Sequence, residues 1–173
     1  MSGGTDSLYD APHLARNAAN NAALTPLNFL SRTASIYPEK LAVIHGDRRF
    51  SYREFYGRCR RFADALRRRG IGAGDTVAVL APNVSALLEA HYAVPMAGAV
   101  LNALNYRLDA ASIAFILDHG SAKLLIVDRE FGGLAKEALG KLGRPLPLVE
   151  IADGDPHPPS PRGRGDLTQD RAS

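Results

Sequence analysis

Asn83 has a polar side chain at a position that suits ligand binding. It follows an apolar, β-branched run at residues 76–81 and opens a predicted helix. Because ligands of open α/β sheets bind outside the carboxyl ends of strands, its amide and the free N–H groups of the helix start could bind an anion. The same side chain could instead cap that helix. Both interpretations stay open at this residue.

Two further side chains are candidates for ligand binding. His91 lies beside Tyr92 in an apolar helix, where a histidine is either a ligand-binding or a hydrogen-bonded packing residue. Arg107 lies in a predicted loop, where its guanidinium could hold a carboxylate or phosphate, or tie the loop to neighbouring carbonyl groups. Asn83 and Arg107 are therefore cofactor-binding candidates, and His91 is the substrate-binding candidate. We predict no catalytic residue and no metal ligand.

Several motifs of known catalytic and nucleotide-binding sites are absent from the sequence. It contains no GxxxxGK[ST] loop, no GxSxG elbow, no HExxH and no pair of cysteines. The glycines at 70, 72 and 74 follow a helix and precede a strand, which inverts the order of a dinucleotide fingerprint. They are typical of a helix end and a turn, and this disfavours a dinucleotide-binding Rossmann domain. Cys59 falls on the buried stripe of a helix, which favours packing over nucleophilic chemistry.

Composition narrows the class of protein further. The 173 residues are 46% hydrophobic and 23% charged, with one cysteine. This length and composition are typical of one soluble globular domain, or of one domain with tails. No apolar run approaches the ~20 residues of a membrane helix, and no secretory signal is evident, so we expect a cytoplasmic protein without a membrane span. Seven arginines between residues 53 and 69 favour a solvated helix face over a nucleic-acid surface, because aromatic residues do not alternate with them.

The elements that would position the candidates alternate along the chain. A Thr-Pro start at residue 25, a hairpin at 41–50 and a capping box at Ser51 to Glu54 come first. Strands are then predicted at 76–81, 100–101, 123–127 and 146–151, with helices at 84–96, 112–118 and 132–142. Because the strands are apolar throughout, we predict an α/β fold of three layers, a mostly parallel sheet with helices on both faces.

Composition also divides the chain into three parts. We predict a flexible N-terminal arm at 1–24, an α/β part at 25–152 and a disordered Pro/Gly/Arg-rich tail at 153–173.

Several segments carry a family resemblance: LTPLNFL, FSYREF, GDTVAVLAPN and VPMAGAVLNALNYRLDAASIAFILDHGSAKLLIVD. Residues 24–153 resemble the N-terminal portion of an AMP-forming acyl-CoA synthetase, an adenylate-forming ligase, in the branch for short- and medium-chain fatty acids. The resemblance implies an incomplete N-terminal subdomain of that fold. It also implies a parent reaction in which a small carboxylic acid and ATP give acyl-AMP and then acyl-CoA, with ATP, Mg²⁺ and CoA as cofactors.

The resemblance assigns few catalytic or binding roles to individual residues of this chain. The family's Thr/Ser/Gly-rich phosphate loop, its adenylate-binding motif and its C-terminal lysine domain have no match in this sequence. We therefore expect a truncated gene product with a frameshift near Asp155, inactive alone and without a cofactor of its own. The alternative is a non-catalytic binding module that associates with itself or with a full-length ligase through the edge of an incomplete sheet.

Overall fold

The computed structural model describes residues 24–151. The predictions for the arm at 1–24, apart from Leu24 itself, and for the tail at 153–173 lie outside the described residues.

The described chain opens with a helix and a hairpin. Helix α1 (Pro26–Ile36) starts with proline at its first position, where the missing N–H costs nothing. Thr25 occupies the N-cap position, but its side chain makes no capping hydrogen bond. Strands β1 (Leu41–His45) and β2 (Arg48–Ser51) then pair antiparallel, which confirms the predicted hairpin.

Helix α2 (Tyr52–Arg68) begins at the predicted capping box. Ser51 Oγ accepts from the Glu54 N–H at 3.3 Å, while the Glu54 carboxylate accepts from the Ser51 N–H at 2.8 Å. Hydrogen bonding to its carboxylate from the Ser51 backbone N–H, and secondly from the Ser51 side chain, lowers the pKa of Glu54. The helix ends in a Schellman motif, in which Gly70 adopts a φ of +76° and Ile71 donates to the carbonyl of Leu66. The predicted helix end and turn at these glycines are confirmed.

The second half of the chain builds the sheet. Its elements are β3 (Thr76–Leu80), α3 (Ser85–Met96), β4 (Val100–Leu104), α4 (Ala110–His119), β5 (Ala122–Asp128), α5 (Gly132–Lys141) and β6 (Leu148–Ile151). The strand order is β4-β3-β5-β6, and each neighbouring pair is parallel. The prediction of a two-residue strand at 100–101 was wrong, because β4 pairs with β3 along its whole length from Val100 to Leu104. Tertiary pairing outweighs the low strand propensity of Asn102 and Ala103.

Two hydrophobic cores lie on opposite faces of the sheet. Val77 and Ile126 point to the face covered by α2 and α3, while Leu80 and Leu125 point to the face covered by α4 and α5. All four of these residues are at most 3% exposed. The predicted three-layer α/β fold with helices on both faces is therefore confirmed.

The topology singles out the carboxyl end of β3. From β3 the chain passes through α3 to β4 on one side, then returns through α4 on the opposite face to β5 on the other side. The strand order thus reverses at β3, and such a reversal opens a crevice in which ligands of α/β proteins bind.

Candidate binding groove

A groove lies where the hairpin and α1 meet the start of α3. Its volume is about 590 Å³, within the range of small-molecule pockets. We call it the α3 groove, and the residues that line it are Pro26, Val43, Ile44, His45, Asn83, Val84, Ser85, Leu87, Leu88, His91 and Tyr92.

A hydrogen-bonded polar pair joins the two walls of the α3 groove. Ser85, the first residue of α3, is 4% exposed, and its Oγ lies 3.2 Å from Nδ1 of His45, the last residue of β1. Which of the two donates depends on the histidine tautomer. The pair satisfies a buried hydroxyl and fixes the hairpin against the helix start.

Asn83 lies at the mouth of the α3 groove and does not cap α3. The helix begins one residue later than predicted, so that the extended residue Val84 occupies the N-cap position without a side-chain bond. The Val84 N–H instead donates to the carbonyl of Pro82 at 2.7 Å, which tightens the turn after β3. The capping interpretation of Asn83 was therefore wrong, and its exposed amide lines the groove.

His91 lies in the α3 groove, two helical turns beyond Val84. Its Nδ1 is 2.8 Å from the carbonyl oxygen of Leu87, and since a carbonyl only accepts, Nδ1–H is the donor. The imidazole is exposed rather than packed inside the helix layer. The structure therefore brings the two candidates Asn83 and His91 to one surface.

Arg107 lies elsewhere, in the loop after the outer strand β4. Its backbone N–H donates to the side chain of Asn105 at 3.0 Å, and its exposed guanidinium lies over the Tyr106 ring, 5.7 Å from the centroid. The structure does not bring Arg107 to the α3 groove.

A partly buried ion pair supports α3 from the side facing α2. Glu89 has a side chain only 7% exposed, and its carboxylate lies 2.5 Å from Nε of Arg58 on α2. The same guanidinium lies 4.6 Å from the ring centroid of Phe50 in the hairpin. The Arg58 guanidinium thus links α2, which carries it, to both α3 and the hairpin.

Cys59 packs beside this ion pair and is fully buried. Burial, and secondly the charge of Glu89, raises the pKa of its thiol to about 12. The thiol therefore stays protonated at neutral pH and cannot act as a nucleophile. The predicted packing role of Cys59 is confirmed.

The α3 groove is lined mainly by apolar side chains, with a few polar side chains among them. Its lining residues include no aspartate, glutamate, lysine or arginine. Within residues 24–151 no three histidine, cysteine or acidic side chains come together in a way that could hold a metal ion. No helix in that same stretch is long and apolar enough to cross a membrane.

Sequence reasoning missed His45, Ser85 and Ile44 as groove residues. The helical spacing of Val84, Leu88 and His91 could have revealed the wall formed by α3. The hairpin wall gave no comparable signal, because His45 contacts a residue 40 positions away.

The fold is a doubly wound α/β module, and the α3 groove lies beside the carboxyl end of β3, where its strand order reverses. Comparison with known proteins gives its family. Residues 30–169 match the family described as AMP-binding enzyme, and the chain belongs to that family. The match continues past residue 153, where the tail was predicted to begin, and that boundary stays a prediction.

The similar proteins are acyl-CoA ligases. The chain is 53% identical over 151 residues to the acetate–CoA ligase CCL3 of Humulus lupulus, covering 83% of this chain and 27% of that protein. It is 50% identical over 152 residues to the peroxisomal acetate/butyrate–CoA ligase AAE7 of Arabidopsis thaliana, covering 83% and 26%. The solved structure of a Mycobacterium tuberculosis fatty acyl-CoA synthetase matches at a TM-score of 0.68 and 27% identity, covering 72% and 26%.

The chain spans about a quarter of the length of the curated relatives it matches. Some of those relatives are named as peroxisomal, so the cytoplasmic location expected from the sequence stays a prediction.

Proposed function

We propose that this chain forms the N-terminal α/β subdomain of an AMP-forming acid–CoA ligase. In the parent reaction a carboxylate oxygen attacks the α-phosphorus of ATP and releases pyrophosphate. The CoA thiolate then attacks the acyl carbon of the acyl-AMP and releases AMP. The observation that carries the proposal is the identity of about half of the residues to acetate– and butyrate–CoA ligases over 83% of the chain.

The substrate class we propose is a small carboxylic acid. The relatives at 53% and 50% identity are named for acetate and butyrate, and another, at 47%, is named for benzoate. These acids share a carboxylate on a short aliphatic or aromatic body.

We also propose that residues 24–151 do not carry out adenylation by themselves. Activating a carboxylate requires groups that stabilise the charge developing on the transferring phosphoryl group. The residues that line the α3 groove include no charged side chain, and within residues 24–151 no three histidine, cysteine or acidic side chains come together in a way that could hold a metal ion. ATP, Mg²⁺ and CoA would then be held by the family's other segments, the Thr/Ser/Gly-rich loop and the lysine-bearing domain.

Exchange of labelled pyrophosphate into ATP tests this proposal with acids from acetate to decanoate. The purified 173-residue chain is expected to give no acid-dependent exchange, whereas the full-length Humulus lupulus relative in the same buffer gives exchange with acetate. Acid-dependent exchange by the chain alone would show that it holds a complete adenylation site and would overturn this part of the proposal.

The alternative is a non-catalytic module that associates through a sheet edge. The observation in its favour is β4, an outer strand of the described sheet, in which Val100 is 57% exposed. Size-exclusion chromatography of the chain, alone and mixed with the full-length ligase, separates the two: a stable monomer, or a defined dimer or complex that Val100→Lys dissociates, supports the module. Aggregation of the chain, or an association that this substitution leaves intact, contradicts it.

A further inference from the structure

Five arginines of α2 lie on the outer side of that helix. Its inner side is defined by Phe55, Cys59 and Leu66, which are buried in the core. Because residues three, four or seven positions apart share one side of a helix, the outer side carries residues 53, 57, 60, 61, 64, 67 and 68. We call its arginines, all of them exposed, the α2 arginine face: Arg53, Arg60, Arg61, Arg67 and Arg68. Along the helix axis this face is about 22 Å long.

The positive charge of the α2 arginine face is only partly compensated. Arg53 pairs with Glu39, and Arg67 pairs with Asp64, both at exposed positions where an ion pair is weak. Within residues 24–151, the ion pairs leave Arg60, Arg61 and Arg68 without a carboxylate partner. Three fixed cations therefore stand along one side of α2 with only water around their charge.

The composition of the α2 arginine face does not suit a protein partner. Its arginines are interrupted only by Gly57 and Asp64, so that no apolar side chain stands among them. Stable protein interfaces take most of their binding energy from aromatic and aliphatic side chains at a dehydrated centre, whereas single exposed ion pairs contribute little. An acidic protein would thus find cations here but no apolar anchor.

A nucleic-acid strand is also poorly matched. Single-strand binders stack bases on open aromatic rings between their basic residues. The aromatic ring beside the α2 arginine face is that of Tyr56, and the guanidinium of Arg60 lies over it, 5.8 Å from the centroid. A membrane surface that carries anionic lipids needs neither an apolar anchor nor a stacking ring, because its surface potential attracts every cation that comes close to it.

We propose that the α2 arginine face binds the surface of a membrane that contains anionic phospholipids. Five guanidinium groups within about 22 Å can meet several headgroups at once, and their attractions to the surface add up. The contact is peripheral, since the apolar side of α2 is used by the core of the protein itself. The inference goes beyond the proposed ligase subdomain and does not depend on it, because it rests on the charge and placement of α2 alone.

Co-sedimentation of the 173-residue chain with lipid vesicles tests the proposal. We expect binding to phosphatidylcholine vesicles in which about a third of the lipid is phosphatidylserine, and no binding to vesicles of phosphatidylcholine alone. Raising NaCl from about 0.05 M to about 0.5 M is expected to release the chain, because salt screens exposed charges.

A triple variant removes the three arginines that lack a carboxylate partner. Arg60→Gln with Arg61→Gln and Arg68→Gln is expected to lower the vesicle partition coefficient at least about tenfold. The matched control is Arg107→Gln with Arg129→Gln and Lys136→Gln, which changes three exposed cations outside α2. Both triple variants lower the formal charge from +3 to zero, so the control shows the effect of net charge by itself. We expect the control to bind within about threefold of the unsubstituted chain.

Lysine at the same three positions is the second test. Arg60→Lys with Arg61→Lys and Arg68→Lys keeps the charge but loses the planar fork of the guanidinium, and we expect binding within about threefold of the unsubstituted chain. A loss as large as that of the glutamine variant would mean recognition of individual carboxylates or phosphates and would overturn the membrane assignment. Melting curves followed by circular dichroism check that each variant folds, and the salt and lipid dependence of the unsubstituted chain tests the proposal without any variant.

Further results would overturn the inference. They are equal binding to vesicles with and without phosphatidylserine, no binding to either, and a control variant that loses as much binding as the glutamine variant. Tighter binding at the same salt to a duplex DNA fragment or to polyglutamate than to the anionic vesicles would assign the α2 arginine face to a nucleic acid or to an acidic protein instead.

Discussion

Ser85 Oγ lies 3.2 Å from Nδ1 of His45 and so joins the first turn of α3 to the end of the hairpin strand β1. One turn further along α3, Glu89 is joined to Arg58, whose guanidinium lies over Phe50 at the base of the hairpin. A hydrogen bond and a partly buried ion pair therefore hold α3 and the hairpin together at two levels.

Ser85→Ala is expected to destabilise the chain by about 1 kcal/mol. It removes the bond to His45 and a hydroxyl that is buried in the native state. Ser31→Ala is the control, because the Ser31 hydroxyl donates to its own helix at an exposed position and its loss is expected to change stability by less than about 0.5 kcal/mol. Urea unfolding followed by circular dichroism gives both values. Equal effects of the two substitutions would contradict the role given to Ser85.

Arg58→Ala is expected to destabilise the chain by about 3 kcal/mol, since it leaves the carboxylate of Glu89 buried without its partner. The double variant Arg58→Met with Glu89→Leu removes both charges and is expected to recover most of that loss. Arg53→Ala breaks an exposed ion pair with Glu39 and should cost less than about 1 kcal/mol. A double variant no more stable than Arg58→Ala would show that the buried charge is not what destabilises the single variant.

Gly98→Ala is expected to destabilise the chain by about 1–3 kcal/mol. Gly98 ends α3 in a second Schellman motif with a φ of +90°, a conformation that costs residues with a Cβ about this much. Gly140→Ala makes the same chemical change inside α5, with no atom within 4 Å of the added methyl, and is expected to stabilise by about 0.5–1 kcal/mol. The melting temperatures of the two variants should therefore shift in opposite directions. A shift in the same direction would contradict the backbone strain that we assign to an alanine at position 98.

Acid should weaken the fold through three carboxylates. Lys123 and the Gly72 N–H lower the pKa of Asp75, the Ser112 N–H lowers the pKa of Asp109, and the contacts with Ser51 lower that of Glu54. Because each pKa is lower in the folded state, the unfolded chain binds more protons as the pH falls through the ordinary values of 3.8 and 4.5. This contribution to stability is fully present above those values and is lost below them.

The midpoint of urea unfolding, measured from about pH 6 to about pH 3, checks this dependence. It should stay flat down to the ordinary carboxyl values and then fall. Asp109→Asn should reduce the slope of the acid limb, and a slope unchanged by Asp109→Asn would argue against its contribution.

Local signals in the sequence predicted much of the fold. The capping box at Ser51 starts α2, and the glycine motif at Gly70 ends it. Each motif uses only residues within about one turn of itself, so its structure follows from the residue types alone. The predictions failed where contacts between residues far apart in the sequence determine where an element begins or ends. Strand β4 is extended by its parallel partner β3, and the start of α3 moves to Ser85 after the turn at Pro82.

The candidate site was less predictable than the fold. Asn83 and His91 were identified from their positions at the carboxyl end of β3 and on α3, and both line the α3 groove. The hairpin wall, with Ile44 and His45, comes from 40 residues earlier in the chain and depends on how β1 packs on α3. Arg107 had a suitable residue type, but the crossing from β4 places it away from the groove.

Acid-dependent acyl-CoA formation is the decisive measurement in a chimaera in which residues 24–151 take the place of the matching stretch of the Humulus lupulus ligase. If residues 24–151 are the N-terminal subdomain of an acid–CoA ligase, they should replace the matching stretch of the Humulus lupulus enzyme. We expect acetyl-CoA formation from acetate, ATP and CoA within about tenfold of the parent rate, a barrier change of about 1.4 kcal/mol or less. A chimaera that folds and melts cooperatively but forms no acyl-CoA from any acid that the parent accepts would contradict it.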